Sequence, residues 1–475
     1  MKKIFRYTMA LVMMTGAMFS LQSCDDYFDL KDNPNLVTNP PINAMLSTAT
    51  QKTGLNSQRV AAVTSYFVQY LASPSPGSSS DTYQITDYTS IWDALYLGMA
   101  DIYDMKQKAQ EEGASEYVGV ADVMMAYHLS LVADMFGDAP YTEAFNGSTL
   151  TPKFDSQQDL YNQSLQLVDE AITELAKPGS KITLDPDNDL IYGGDVAKWT
   201  KFAYGLKARF LNKISKTPAY DPQAVLGAVE HSFTSNADDA QMSVFAVRNP
   251  WATVALNNTQ LVLDGWLSEQ LVEQLNGSTY GVFDPRVAKI TEKTVNDDYK
   301  GTPNGTGNIG PAANTVRDES YISRNSPITG DLSPIVIMSY AELKMIEAEA
   351  ALRVGLTDRA YAAYLEGIRA SMDKLEVPAA ERDAYLSNPA VAVGAGNLTL
   401  DLIFKEKYVT TYLNPEAWND ARRYDYQYAD FTLPANAALT DFIRRVAYPE
   451  GESSKNSANV PAATPLDTPL WWDQQ

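Results

Sequence analysis

A mostly α-helical fold is what this sequence predicts, on three observations. Apolar residues recur three or four apart in segment after segment, N-capping side chains stand just ahead of those segments, and alternating strand-like runs are few.

Asp195 can cap a helix whose apolar residues Val196, Trp199, Ala203, Leu206, Phe210 and Ile214 share one face. Ser339-Tyr340-Ala341-Glu342 has capping-box spacing and opens a helix with Leu343, Ile346 and Ala350 on one side. Gly355 ends that helix, and Thr357 opens a second carrying Ala360, Tyr364, Leu365 and Ile368. Two helices joined by so short a turn, with Ala and Gly at the close contacts, predict a tetratricopeptide-like hairpin. Similar pairs run from Ser90 to Phe136 and from Ser156 to Ser215. The strict ~34-residue period of that repeat is missing, so the array is degenerate.

Long loops interrupt the helices. Residues 73–89 are rich in Ser, Gly and Pro yet contain Tyr83 and Tyr88; residues 296–334 contain Tyr299 and Tyr321 and lead into the strand-like Ile335-Val336-Ile337. Loops beyond about 15 residues in a compact protein are functional or disordered, and the aromatics favour binding. The tail after Arg445 has no helical period but finishes with Trp471-Trp472, so it is expected to dock on the body.

The first 24 residues set the compartment. Lys2, Lys3 and Arg6 precede an apolar run from Met9 to Leu21, followed by Leu21-Gln22-Ser23-Cys24. The run is shorter than the ~20 apolar residues a spanning helix needs, so it reads as a cleaved signal. Leu at −3, Ser at −1 and Cys24, the chain's single cysteine, resemble a bacterial lipobox in which that thiol is acylated; Gln22 departs from the usual residue at −2. The alternative is a secreted protein with one unpaired thiol. The expected organisation is a signal peptide over 1–23, an acidic and Pro-rich tether over 24–41 beginning Cys24-Asp25-Asp26, and a single domain over 42–475.

Removing the signal's three basic residues takes the formal charge from −22 to −25. So acidic a surface argues against nucleic-acid partners. With no cysteine beyond Cys24, stability must come from the core. His128 and His231 are the only histidines, which disfavours a His-based metal centre, and no cofactor is implied. No Gly-x-Ser-x-Gly elbow, Walker A sequence or His-Glu-x-x-His helix is present, and Gly305-Thr306-Gly307 neither follows a strand nor opens a helix. His128 lies in an apolar helical run and reads as a buried structural residue; His231 reads as exposed. Carboxylates are plentiful, which leaves a two-carboxylate glycosidase open as a reading, but their default role is on solvated helix faces.

Four separated segments carry a family resemblance. They are Phe136-Gly137-Asp138-Ala139-Pro140-Tyr141-Thr142-Glu143-Ala144; Gly194-Asp195 through Trp199 to Arg209; the Ser339 helix with Glu347-Ala348-Glu349-Ala350; and Glu416-Ala417-Trp418-Asn419-Asp420-Ala421-Arg422-Arg423. The last is followed by Arg444-Arg445-Val446-Ala447-Tyr448-Pro449, Glu452, Asn456, Asn459 and Trp471-Trp472-Asp473. Together with the lipobox, these closely resemble the SusD/RagB family of Bacteroidota surface lipoproteins. The resemblance implies a SusD-like fold, with four tetratricopeptide-like helix pairs and a loop-rich, ligand-facing half. It also implies a binding protein that captures oligosaccharides, or peptides in the RagB-like alternative, for a SusC-like TonB-dependent outer-membrane transporter. It further implies a lipid anchor in the outer membrane, facing the exterior.

Family motifs of this kind identify the fold rather than the ligand. Trp418 reads as core; Arg422, Arg423, Arg444 and Arg445 read as ion-pair partners or donors to the tail's carbonyls. Trp92 and Tyr96, four apart after Ser90, share a helix face and read as core before platform. Sugar recognition needs flat apolar rings together with planar polar groups. Three places combine them: Tyr83, Asp87 and Tyr88; Arg248, Asn249, Trp251 and Asn257; and Tyr299, Asn304, Tyr321 and Arg324. Each aromatic either meets ligand or anchors its own loop, and Trp251, Tyr83 and Tyr321 are expected to be exposed platforms.

Overall fold

Helix caps are where the sequence signals and the folded chain meet most directly. The computed structural model describes residues 39–259, 265–310 and 317–474; the signal segment, Cys24 and all but the end of the tether lie outside them. The Asp195 side chain accepts the Lys198 N–H, and Ser339 accepts that of Glu342. The Ser339 box is half made, because Glu342 turns its carboxylate to Arg209 instead of back to the cap. The helix expected to open at Ser90 begins at Thr89 behind an N-cap, Tyr88, that makes no side-chain cap bond; Asp87, one residue further out, accepts the Thr89 N–H at 3.1 Å.

The N-terminal half contains α1 (Ile42–Phe67), β1 (Leu71–Ala72), α2 (Thr89–Glu112), α3 (Ser115–Phe136), α4 (Gln157–Leu175), α5 (Val196–Lys213), α6 (Pro222–Val229) and β2 (Ala240–Met242). Next come α7 (Pro250–Thr259), β3 (Trp266–Leu267), α8 (Glu269–Asn276), α9 (Val287–Ile290) and β4 (Ile335–Met338). The chain finishes with α10 (Tyr340–Arg353), α11 (Thr357–Lys374), α12 (Ala379–Leu386), α13 (Leu400–Thr410), α14 (Glu416–Arg423) and α15 (Glu450–Lys455). The fold is mostly α, as the periodicity indicates.

Each long helix packs on the next from α1 through α6; α10 then pairs with α11 and lies against α6 and α13. These are the tetratricopeptide-like hairpins. At the tightest approach, a Cβ on Gly119 of α3 would stand 2.6 Å from Cγ of Leu175 on α4, so only glycine fits. α3 is long and apolar enough to cross a membrane, yet it is buried inside the body. His128 on α3 is fully buried against Met124 O and Asn56, and burial pushes its imidazole down to about 4.

Ionic pins tie the helices together inside the core. Arg209 (α5) meets Glu342 (α10) at 2.7 Å, and Arg423 (α14) meets Glu349 (α10) at 2.8 Å and Asp420 at 2.7 Å. Burial alone would raise the Glu349 carboxyl, but Arg423 and Arg353 hold it well below the usual carboxylate range. The tail docks as expected. Trp472 is buried, the Arg422 guanidinium lies between the rings of Trp418 (3.7 Å) and Trp472 (4.8 Å), and Arg444 pairs with Asp473 at 2.5 Å. Arg422 also donates to Asp134 O and Arg444 O, and Arg445 donates to Phe136 O.

Only two small antiparallel sheets form among the described residues. β1 pairs with β3, and β2 pairs with β4 around an irregular step at Ala240/Gln241. Isolated bridges Trp266–Tyr321 and Ser268–Thr302 extend the β1–β3 ribbon into the long loop. This ribbon is the frame on which the loop-rich half is built.

Candidate functional site

The three predicted clusters come from loops far apart in sequence, and two hydrogen-bonded junctions draw them together. At the first junction the Asp81 carboxylate accepts from Asn304 Nδ2 and from the Gly305 N–H, tying the 73–89 loop to the 300–310 loop. Asn304 also donates to Leu71 O at 2.9 Å and accepts from Ser268 Oγ at 2.6 Å. Gly305 has φ +78°, and a Cβ there would lie 1.9 Å from Ala435 O, so the crossing of these loops requires glycine. Burial pushes Asp81 up to about 6, against the lowering effect of the Gly305 and Asn304 donors.

The second junction is Asp331. Its carboxylate receives Arg324 Nη2 at 2.7 Å and stands 3.7 Å from Arg248, while its carbonyl accepts the Asn249 N–H at 2.9 Å. Arg324 holds the Asp331 carboxyl below its ordinary value. The start of α7 is thereby tied to the end of the long loop.

The expected exposure of several candidates is corrected by this packing. Tyr83 is 1% exposed; its backbone sits in the left-handed region at φ +58°, which turns the ring inward onto Phe67 at 6.2 Å. Trp251 is 3% exposed and walls a narrow, partly open cavity of about 50 Å³ with Ile335, Val336 and Leu413. Tyr321 is 6% exposed, packed beside Trp266 at 6.0 Å and beneath the Arg317 guanidinium at 4.4 Å. Asn249 is fully buried, accepting the Trp251 N–H and donating to Ser333 O, and Asn304 is buried in the Asp81 junction. These five side chains anchor loops.

The other candidates keep accessible surface. Asp87 and Arg324 are exposed; Tyr88, Arg248, Asn257 and Tyr299 are half-buried. Burial pushes the Tyr88 hydroxyl up to about 12, while hydrogen bonding from Thr89 lowers Asp87. Tyr299 has a partner that the sequence reading missed. Phe283 is 52% exposed, with its ring centroid 6.2 Å from that of Tyr299. Its one sequence signal is the turn-rich stretch Gly277-Ser278-Thr279-Tyr280-Gly281 just ahead of it. The neighbouring loop supplies polar groups. Glu292 pairs with Arg317 at 3.2 Å and accepts from Asn325 at 3.0 Å. A half-buried Tyr and an exposed Phe beside amides, carboxylates and a guanidinium can stack on a pyranose face and bond its hydroxyls.

No group of three or more metal-ligating side chains occurs among the described residues. His231 is exposed and lies against Tyr204 at 5.0 Å.

The comparisons with known proteins agree with this architecture. The SusD-like family, described as starch-binding associating with outer membrane, matches residues 34–449. No curated protein matches the chain. Among solved structures, a SusD/RagB family protein from Bacteroides thetaiotaomicron superposes with a TM-score of 0.75 at 22% identity, covering 92% of this chain and 99% of that one. A chitin-binding SusD homolog from Flavobacterium johnsoniae gives 0.77 at 22% identity, covering 91% and 98%. A SusD homolog from Bacteroides uniformis gives 0.75 at 21% identity, covering 91% and 99%. At these identities the likeness is one of fold. With a helical scaffold, a docked Trp-Trp-Asp tail and a family match over most of its length, the chain belongs to the SusD-like family.

Proposed function

We propose that this protein is a cell-surface lipoprotein that binds oligosaccharides and delivers them to a SusC-like TonB-dependent outer-membrane transporter. The observation that carries the reading is the match over residues 34–449 to a family described as starch-binding and outer-membrane-associated. The lipobox at Cys24 supports the anchor, and the acidic start of the tether supports an exterior address.

Within this reading Tyr299 and Phe283 form the stacking platform, Arg248, Asn257 and Arg324 supply further contacts, and Asp87 and Tyr88 at the start of α2 are candidate contacts apart from that platform. Tyr83, Asn249, Trp251, Asn304 and Tyr321 hold the loops that present them. The protein binds its ligand without converting it and needs neither metal nor cofactor.

A glycan and peptide array probed with the soluble protein beginning after Cys24 tests the proposal. Saturable binding of an oligosaccharide class, with the ligand recovered unchanged, is the expected result. Binding confined to peptides would transfer the protein to the RagB-like alternative, and sustained glycan hydrolysis by a pure preparation would refute a binding role.

A further inference from the structure

A second aromatic cleft lies on the helical scaffold, away from the Tyr299–Phe283 pair. Tyr88, Trp92 and Tyr96 are spaced four apart along the start of α2 and share one face. Trp92 is buried, with its ring 4.7 Å from that of Tyr96 and stacked on Phe154 at 6.1 Å. Tyr96 donates to Pro140 O at 2.7 Å, which fixes its ring. Phe145, from the loop after α3, stacks beside Tyr96 at 6.2 Å and beside Tyr103 at 5.7 Å. The rings of Tyr96 and Phe145, together with Leu97 at 60% exposure, wall an open cleft of about 460 Å³. That volume falls in the range of small-ligand sites.

The charge at this cleft has one sign. Asp93 and Glu452 line it, and no Lys, Arg or His does. Among the described residues neither carboxylate has an ion-pair or side-chain hydrogen-bond partner; Lys455, three residues after Glu452 on α15, makes no ion pair with it, and two other cations are taken by different acids. Lys52 pairs with Asp101, and Lys153 lies 3.7 Å from Glu143. Glu452 stands close enough to Tyr96 to add to the burial that raises its hydroxyl. Aromatic faces beside uncompensated carboxylates attract a cation through both the ring quadrupole and the Coulomb field.

From this geometry we infer that the Tyr96–Phe145 cleft is a second carbohydrate site, selective for a sugar bearing a protonated amine. A pyranose offers the flat C–H face that the rings accept. Its ammonium group supplies the charge that Asp93 and Glu452 lack. This site is separate from the Tyr299–Phe283 platform and does not depend on what binds there.

Titration calorimetry on the full-length chain in detergent tests the assignment, using a β-1,4-linked glucosamine tetramer, its fully N-acetylated counterpart, a neutral glucose tetramer and a tri-lysine peptide. The glucosamine tetramer should bind, and added salt should weaken it. Glu452→Gln and Asp93→Asn should each reduce its affinity about five- to tenfold, since each removes one charged partner. Phe145→Ala should do the same in a protein that still unfolds cooperatively, although its half-buried ring also packs on Tyr103 and Tyr141. Any neutral-glycan binding should be untouched by these variants and sensitive to Tyr299→Ala, so either site can fail alone. Four outcomes would each overturn the inference: no glucosamine binding, equal loss of neutral glycans in Glu452→Gln, glucosamine binding indifferent to both charge variants, or capture of tri-lysine in preference to the amino sugar.

Discussion

Trp251→Ala separates an anchoring aromatic from a binding one. The Trp251 side chain is 3% exposed and already borders a cavity of about 50 Å³, so truncation enlarges a void that the surrounding β4 and α13 residues cannot close. Large-to-small changes of this kind cost about 3–5 kcal/mol. Unfolding entropy near 60 °C is about 2.1 cal/mol/K per residue, so a body of about 430 residues changes by roughly 0.9 kcal/mol per degree. The melting temperature should therefore fall by about 3–6 °C in scanning calorimetry. Tyr321→Ala should behave alike, since its ring is packed between Trp266 and Arg317. In both variants any residual folded protein should retain near-normal ligand affinity at low temperature. A Trp251→Ala protein that melts normally but has lost binding would refute the assignment of this ring as an anchor.

Glu349→Gln should cost about 3–5 kcal/mol, because it leaves the buried Arg423 guanidinium short of its counter-charge; the Glu349→Gln/Arg423→Met double variant should recover much of that loss in urea unfolding, and a fully additive cycle would contradict it. Asp81 should titrate near pH 6 by carboxylate-detected NMR. Its folded pKa lies above the ~3.9 of an unfolded aspartate, so the native chain keeps the proton longer and this group's contribution to stability grows as pH falls from 7 towards 5; a midpoint below ~4.5 would contradict the buried junction. Cys24→Ala should release a folded protein from the membrane in cells lacking the transporter, and acyl-free protein still membrane-bound after a high-salt wash would count against the lipid anchor.

The helical half was legible because its signals are local. Asp195 and Ser339 announce their helices through bonds made within one turn, and the i, i+3, i+4 spacing of Trp199, Ala203 and Leu206 marks the face that must be buried. Even there, the start at Thr89 in place of Ser90 is marked only by the exposed Asp87 side chain outside the helix, which the spacing does not distinguish. The loop half was harder, because the direction of a loop ring is set at long range. Tyr83 turns inward through a positive φ and the Asp81–Gly305 clasp, whose two ends are 224 residues apart. Trp251 is covered by residues from β4 and from the segment after α13, and nothing in its own neighbourhood says so. Phe283 carries the reverse lesson. A lone Phe after a glycine turn reads as a loop anchor, and only its proximity to Tyr299 makes a ring pair.

The central claim is that this chain binds oligosaccharide through exposed rings of its loop-rich half. Titration calorimetry of the best neutral oligosaccharide from the array against wild type, Tyr299→Ala and Phe283→Ala addresses it most directly. Loss of a stacking ring should cost about 1–1.5 kcal/mol of binding, with melting temperatures within about 1 °C of wild type for these partly exposed side chains. Unaltered affinity in both ring variants would contradict the platform, and the failure of any oligosaccharide to bind wild type would contradict the claim itself.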